Sequence, residues 1–170
     1  MRIFIIAAVL GLVTFSFRPA AKVNWLTPEQ LAAAYEKDPK PILFDLYTDW
    51  CGWCKVMDKK TYANENVARY INDRYYAVKF NAESEKDVTF NGKVYKYNSR
   101  YKTHELALYL SKGRLAYPNT IFLTSPDAEP APLEGYLKPS ELEAPLKYFG
   151  EKASGSQSLQ QFVQTMKKEW

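Results

Sequence analysis

Phe44-Asp45-Leu46-Tyr47-Thr48-Asp49-Trp50-Cys51-Gly52-Trp53-Cys54-Lys55 is the stretch on which the fold turns. It begins inside the run Ile42 to Tyr47, opened by Pro41 and apolar on both faces, which predicts a central strand covered by helices on either side. Asp45 is the one charge in that strand and is out of place there. The cysteines follow directly, and a helical stretch continues through Val56, Met57 and Lys60. Cys51 and Cys54 thus fall at a strand-to-helix junction.

These are the only two cysteines in the chain, three positions apart. A structural staple is one reading, but the loop closed by Cys-Gly-Trp-Cys is so short that bridging it removes little unfolded-chain entropy. Zinc is a second reading, and it needs ligands that one His and no further Cys do not supply. Redox exchange fits better. The unpaired amides and partial positive charge of a helix start favour a thiolate on Cys51, the attacking sulfur. Cys54, one turn further in, is expected to be shielded and to resolve the mixed disulfide. No cofactor beyond this redox-active pair, and no metal, is expected.

Outward from this segment, Thr27-Pro28-Glu29-Gln30 predicts a helix start with a capping box, running through Tyr35 and ending before Asp38-Pro39. Asn64 caps a predicted helix over Glu65 to Asn72, and Tyr75 to Phe80 alternates as a strand. Asn91-Gly92 between Val88-Thr89-Phe90 and Val94-Tyr95-Lys96-Tyr97 predicts a hairpin. His104 to Leu110 reads as an exposed helix in which His104 packs or caps. Asn119 to Thr124 is a strand opened by Tyr117-Pro118. It precedes an edge strand near Leu133 to Leu137 and a helix from Ser140 to Tyr148. Ser154-Gly155-Ser156 reads as a flexible joint before an amphipathic helix, Leu159 to Lys168. Alternating strands and helices argue for an α/β fold around a mixed sheet.

The chain of 170 residues, 46% hydrophobic, can bury one sizeable core. Its 23 basic and 19 acidic residues are dispersed, with no basic block to follow a phosphate backbone, so nucleic acid is not expected as a partner. Met1-Arg2 followed by the apolar run Ile3 to Val13 resembles a secretory signal, too short for the roughly 20 apolar residues of a membrane span. An uncleaved anchor is the alternative. The expected organisation is a signal peptide or anchor over 1–21, one domain over 22–153, and a C-terminal helix over 154–170. The folded part is expected outside the cytoplasm, periplasmic or in the cell envelope, either soluble or anchored.

The quoted segment resembles the active-site segment of the thioredoxin superfamily, and is most similar to exported thioredoxin-like proteins that resemble the C-terminal domain of the disulfide reductase DsbD. The resemblance covers roughly 42–137 and implies a thioredoxin fold, a mixed sheet flanked by helices, with the hairpin inserted before the cis-proline strand. It implies roles for four features. They are the Trp-Cys-X-X-Cys-Lys segment, a buried acid at Asp45 relaying protons to the inner cysteine, Lys79 beside that acid, and Pro118 as a cis-proline facing the disulfide.

Each has a plainer rival. Asp45 can be a structural partner of Lys79, and Pro118 an ordinary trans strand opener. In cis, Pro118 would turn the Tyr117 backbone toward Cys51 to meet an extended substrate. Trp50 and Trp53 are read as an apolar rim that contacts substrate, with packing as the alternative for Trp53. Lys55 either strengthens the field at the thiolate or is solvated.

The Gly-Trp dipeptide departs from the Gly-Pro of thioredoxin, which leaves the electron direction open. The stretch Glu83 to Tyr101 is longer than thioredoxin needs, and partner choice is its expected role. What the resemblance implies is a monomeric thiol-disulfide oxidoreductase that reduces protein disulfides and is recharged by a membrane-linked thiol electron donor. Disulfide isomerase or oxidase, a non-catalytic binding module, and a thiol carrier for copper or haem ligation stand as alternatives.

Overall fold

The computed structural model describes residues 21–151 and 153–170, so the signal or anchor read at the N-terminus lies, up to position 20, outside the described residues. The chain runs β1 (Trp25–Leu26), α1 (Pro28–Tyr35), β2 (Ile42–Tyr47), α2 (Gly52–Met57), a π-helical turn (Asp58–Tyr62), α3 (Glu65–Arg74) and β3 (Tyr76–Asn81). Next come β4 (Val88–Phe90), β5 (Lys93–Tyr95), β6 (Tyr97–Asn98), β7 (Thr103–His104) and α4 (Glu105–Leu110). It ends with β8 (Asn119–Leu123), β9 (Ala131–Glu134), α5 (Pro139–Gly150), a 3-10 turn (Ala153–Gly155) and α6 (Leu159–Thr165). The sheet has the order β1-β3-β2-β8-β9. β2 lies at its centre, parallel to β3 and antiparallel to β8, with Asp45 opposite Lys79 on one side and Thr120 on the other.

Because side chains alternate along β2, Phe44 and Leu46 enter one core layer with Leu31, Val78, Leu106 and Ile121, while Leu43 enters the other with Met57, Ile71, Phe122 and Leu142. Asp45 points to the Leu43 side and is 1% exposed. The edges of the sheet are blunt: β1 has two residues, and β9 carries Pro132 opposite Ile121.

The helix starts follow the sequence closely. Thr27 and Gln30 form the expected reciprocal caps, with Thr27 N–H donating to Gln30 Oε1 at 2.8 Å and Gln30 N–H to Thr27 Oγ1 at 3.3 Å. The inserted hairpin is also as expected: Asn91 and Gly92 both have positive φ, 48° and 72°, between paired Phe90 and Lys93. That is the conformation Asn-Gly turns supply.

Four expectations change. The predicted edge strand at Leu133 to Leu137 lies earlier, at Ala131–Glu134, because Gly135 at φ 91° turns the chain and donates its N–H to Pro118 O at 2.8 Å. The joint at 154–156 opens instead with the 3-10 turn Ala153–Gly155. The last helix stops at Thr165 rather than Lys168, since the tail turns extended and Glu169 and Trp170 donate their N–H groups to buried Glu143 at 2.6 and 3.2 Å. Lys147, one turn on from Glu143, bridges that acid at 2.9 Å and Glu169 at 2.8 Å.

The fourth concerns His104, which is fully buried rather than exposed. It does cap α4: Nδ1 accepts from Leu106 N–H at 3.1 Å, and Nε2 faces Lys86 O at 3.0 Å. A ring that accepts at Nδ1 and donates at Nε2 is neutral. Burial accordingly holds its pKa below 6.5. The unfolded chain then takes up a proton that the native chain refuses, so stability is complete above pH ~6.5 and declines as pH falls through the lower native pKa. Urea midpoints measured from about pH 8 down to about pH 5 should fall in the wild type, and the decline should be shallower in His104→Asn, which keeps a capping acceptor. Equal slopes in the two proteins would count against this assignment.

Candidate active site

The end of β2 sets the redox pair in place. Cys51 N–H donates to Thr48 O at 3.1 Å, which turns the chain, and Cys51 becomes the N-cap of α2 with its Sγ accepting from Cys54 N–H at 3.1 Å. Cys51 and Cys54 are joined as a disulfide with their Cα atoms 5.4 Å apart. Cys51 is 5% exposed and Cys54 3%, so in the oxidised state both are largely covered and the expected contrast between them is small. Lys55 is exposed.

On β3, Lys79 Nζ donates to Asp45 Oδ2 of β2 at 2.6 Å and to Asp58 Oδ1, four residues past Cys54, at 2.5 Å. The ammonium also lies over the rings of Tyr47 at 4.9 Å and Trp25 at 5.2 Å. Asp45 Oδ1 has no hydrogen-bond partner. Desolvation by burial raises the Asp45 pKa above its usual value, and this outweighs the attraction of Lys79, which lowers it. For Lys79, burial acts downward, but Asp45 and Asp58 together carry the pKa above its ordinary value. Tyr62, hydrogen-bonded to Thr120 at 3.0 Å in the same layer, is pushed well up, first by burial and then by the Asp45 charge. The structure therefore joins Asp45 to Lys79, and the buried acid still titrates upward. Asp58 is a third member that the sequence reading missed. Its spacing gave a signal, since it follows Cys54 by four residues along a helical stretch.

Around the sulfurs, Trp50 is 67% exposed and Trp53 62%. The Trp50 indole N–H donates to Glu83 Oε1 at 2.9 Å, and its ring meets Tyr117 edge-on at 6.1 Å. Trp53 leans on Tyr136 with centroids 5.5 Å apart. The Tyr117–Pro118 peptide is cis, and Pro118 is buried at the start of β8. Glu83 and Tyr136 were not singled out from the sequence, because neither carries a local motif. Among the described residues, no three His, Cys, Asp or Glu side chains gather to hold a metal ion, and no helix is long and apolar enough to cross a membrane. Chemically, this is a disulfide that can accept two electrons at a helix start, in a domain whose buried acid, Asp45, titrates above its usual range.

Comparison with known proteins agrees with this geometry. The model of the Thioredox_DsbH family, described as "Protein of unknown function, DUF255", matches residues 17–170. An uncharacterized protein of Caenorhabditis elegans is 30% identical over 120 residues, 70% of this chain and 15% of that protein. The thiol:disulfide interchange protein DsbD of Yersinia enterocolitica is 41% identical over 46 residues, 27% of this chain and 8% of its own length. The chain thus spans 15% or less of these relatives. Among solved structures, a thioredoxin-fold protein of Helicobacter pylori has a TM-score of 0.58 at 16% identity, over 74% of this chain and 83% of that one. A DsbH oxidoreductase has 0.56 at 17% identity, over 84% and 95%. A candidate disulphide-isomerase of Bacteroides thetaiotaomicron has 0.54 at 25% identity, over 83% and 100%. The fold is the thioredoxin fold.

Proposed function

The chain belongs to the Thioredox_DsbH family, and from that premise we propose that it is a thiol-disulfide oxidoreductase acting outside the cytoplasm, in the reducing direction. The observation that carries this reading is the Cys51–Cys54 disulfide at the start of α2, and the upward-titrating buried Asp45 supports it. The signal-like run at the N-terminus supports the location, and the DsbD relatives support the chemistry.

In the reduced protein, Cys51 is the thiolate, favoured by the Cys54 amide and the helix dipole. It attacks a substrate disulfide, forming a mixed disulfide and expelling one substrate thiolate, which is protonated by water. Cys54 then gives its proton to Asp45 and attacks Cys51 Sγ. This closes the intramolecular bond and releases the second substrate thiolate. Two electrons pass to the substrate. A thiol donor of the dithiol class, held at the membrane, returns two electrons and two protons to the pair. Lys79 and Asp58 hold Asp45 in place and link it to the surface.

Accelerated precipitation of insulin with dithiothreitol as reductant is the expected result, and a rate no higher than dithiothreitol alone would end this reading. For direction, the potential of the Cys51/Cys54 couple should lie near the roughly −270 mV of thioredoxin. A value close to the roughly −120 mV of DsbA would make the protein an oxidant. Isomerase activity is a second reading, favoured by the likeness to the Bacteroides thetaiotaomicron candidate disulphide-isomerase. Recovery of activity from scrambled ribonuclease would favour it.

A further inference from the structure

Asn119 is the first residue of β8 and is completely buried. Among the described residues, neither its side-chain oxygen nor its side-chain nitrogen has a hydrogen-bond partner. Thr48, just past the end of β2, is buried as well, and its hydroxyl is likewise unpartnered. Unsatisfied buried polar atoms are costly, and native proteins meet the need with a protein group or an ordered water. Three such atoms on two residues call for a common partner.

The sheet register brings the two residues together. Asn119 stands opposite Leu46 across the antiparallel β2–β8 pair, so their side chains share a face. That face carries Phe44, Leu46 and Ile121 into one core layer. Thr48 is two residues beyond Leu46, and the chain is still in the sheet at Tyr47, whose carbonyl accepts from Ala82 N–H at 2.8 Å. Alternation then turns Thr48 to the same face, diagonal to Asn119. Diagonal neighbours stand about 7 Å apart, a gap that two short polar side chains close with a water bonded at about 2.8 Å on either side. Thr48 also carries the redox turn, because its carbonyl accepts from Cys51 N–H at 3.1 Å. Whatever fixes the Thr48 side chain ties that turn to β8.

Resting on the oxidoreductase reading for its functional half, we infer that Asn119 and Thr48 enclose a buried hydration site, in which at least one water bridges carboxamide and hydroxyl, and that Asn119 is thereby a positioning residue for the Thr48–Cys51 turn. It touches no reacting atom. Both side chains are uncharged, which suits water rather than a divalent cation.

A high-resolution crystal structure of the oxidised protein should show water within about 3.2 Å of the Asn119 carboxamide and of Thr48 Oγ1. A packed contact with no density between them would overturn the site. Stability gives an independent sign. Thr48→Val keeps the shape of threonine and takes the bridge from the carboxamide, so the folded-to-unfolded ratio in urea should fall about tenfold. Asn119→Leu should act likewise, and the double variant should lose less than the two combined, because one bridge is broken once. Were the atoms unpartnered in solution, each apolar replacement would remove a desolvation cost; a ratio that rises in Thr48→Val would therefore overturn the site.

Positioning is read separately, under conditions where circular dichroism shows every variant folded. The second-order rate constant for insulin reduction should fall about tenfold in Asn119→Leu and in Thr48→Val, the scale of a slightly misplaced attacking group. Thr48→Ser, which keeps the hydroxyl, should recover the rate lost in Thr48→Val. Wild-type rates in both variants would remove the positioning role and leave the hydration site. A wild type that does not reduce insulin would remove the oxidoreductase reading and the positioning role with it, while the density and the urea series would still decide the site.

Discussion

Cys54→Ser is expected to arrest the protein on its substrates as mixed disulfides, while Cys51→Ser captures nothing and loses turnover by at least on the order of 10³-fold. The two outcomes follow from position. Cys51 is the N-cap of α2, whereas Cys54 lies within the first helical turn with its N–H directed at Cys51 Sγ. A serine at 54 leaves the attacking sulfur in place and removes the only displacing group within reach. Adducts visible on non-reducing gels in Cys54→Ser, and absent in Cys51→Ser, are the readout. The reverse pattern would exchange the roles of the two sulfurs.

Asp45→Asn should slow the resolving step by about 100-fold, the usual scale for a positioned proton acceptor, and at the same time make the protein more stable near neutral pH. The second effect follows from linkage. The native pKa of Asp45 is raised above its unfolded value of 3.8 by burial. Between those two values the native chain holds a proton that the unfolded chain has released, so stability falls as pH rises through that window and stays lower above it. An amide at 45 carries no charge to desolvate, and Lys79 retains Asp58. The urea midpoint at neutral pH should therefore rise while turnover drops. A variant that lost stability together with activity would show Asp45 to be a structural partner of Lys79 only.

Much of this site was legible because its signals are local. The alternation of Ile42 to Tyr47 exposes Asp45 as an acid in an apolar strand, and Cys-X-X-Cys after a strand needs no tertiary knowledge to read. Asn91-Gly92 and the Thr27 to Gln30 caps likewise act within a few residues. What escaped was decided by chain segments meeting across the fold. Glu83 gains its meaning from an indole 33 residues away. Glu143 and Lys147 have the spacing of a solvated helical pair, and only the tail folding over α5 buries them and shortens α6. Nothing local marks His104 as buried; it is β7 that draws the ring onto Phe80 at 5.1 Å.

The blunt margins of the sheet bear on how such a protein can handle loose polypeptide without being captured by it. A strand edge with free amides is a template on which sticky chains polymerise. Here one margin is two residues long, and the other is interrupted by a proline that has no amide to offer. A loose chain thus finds little backbone on which to stack at either border of the sheet formed by the described residues.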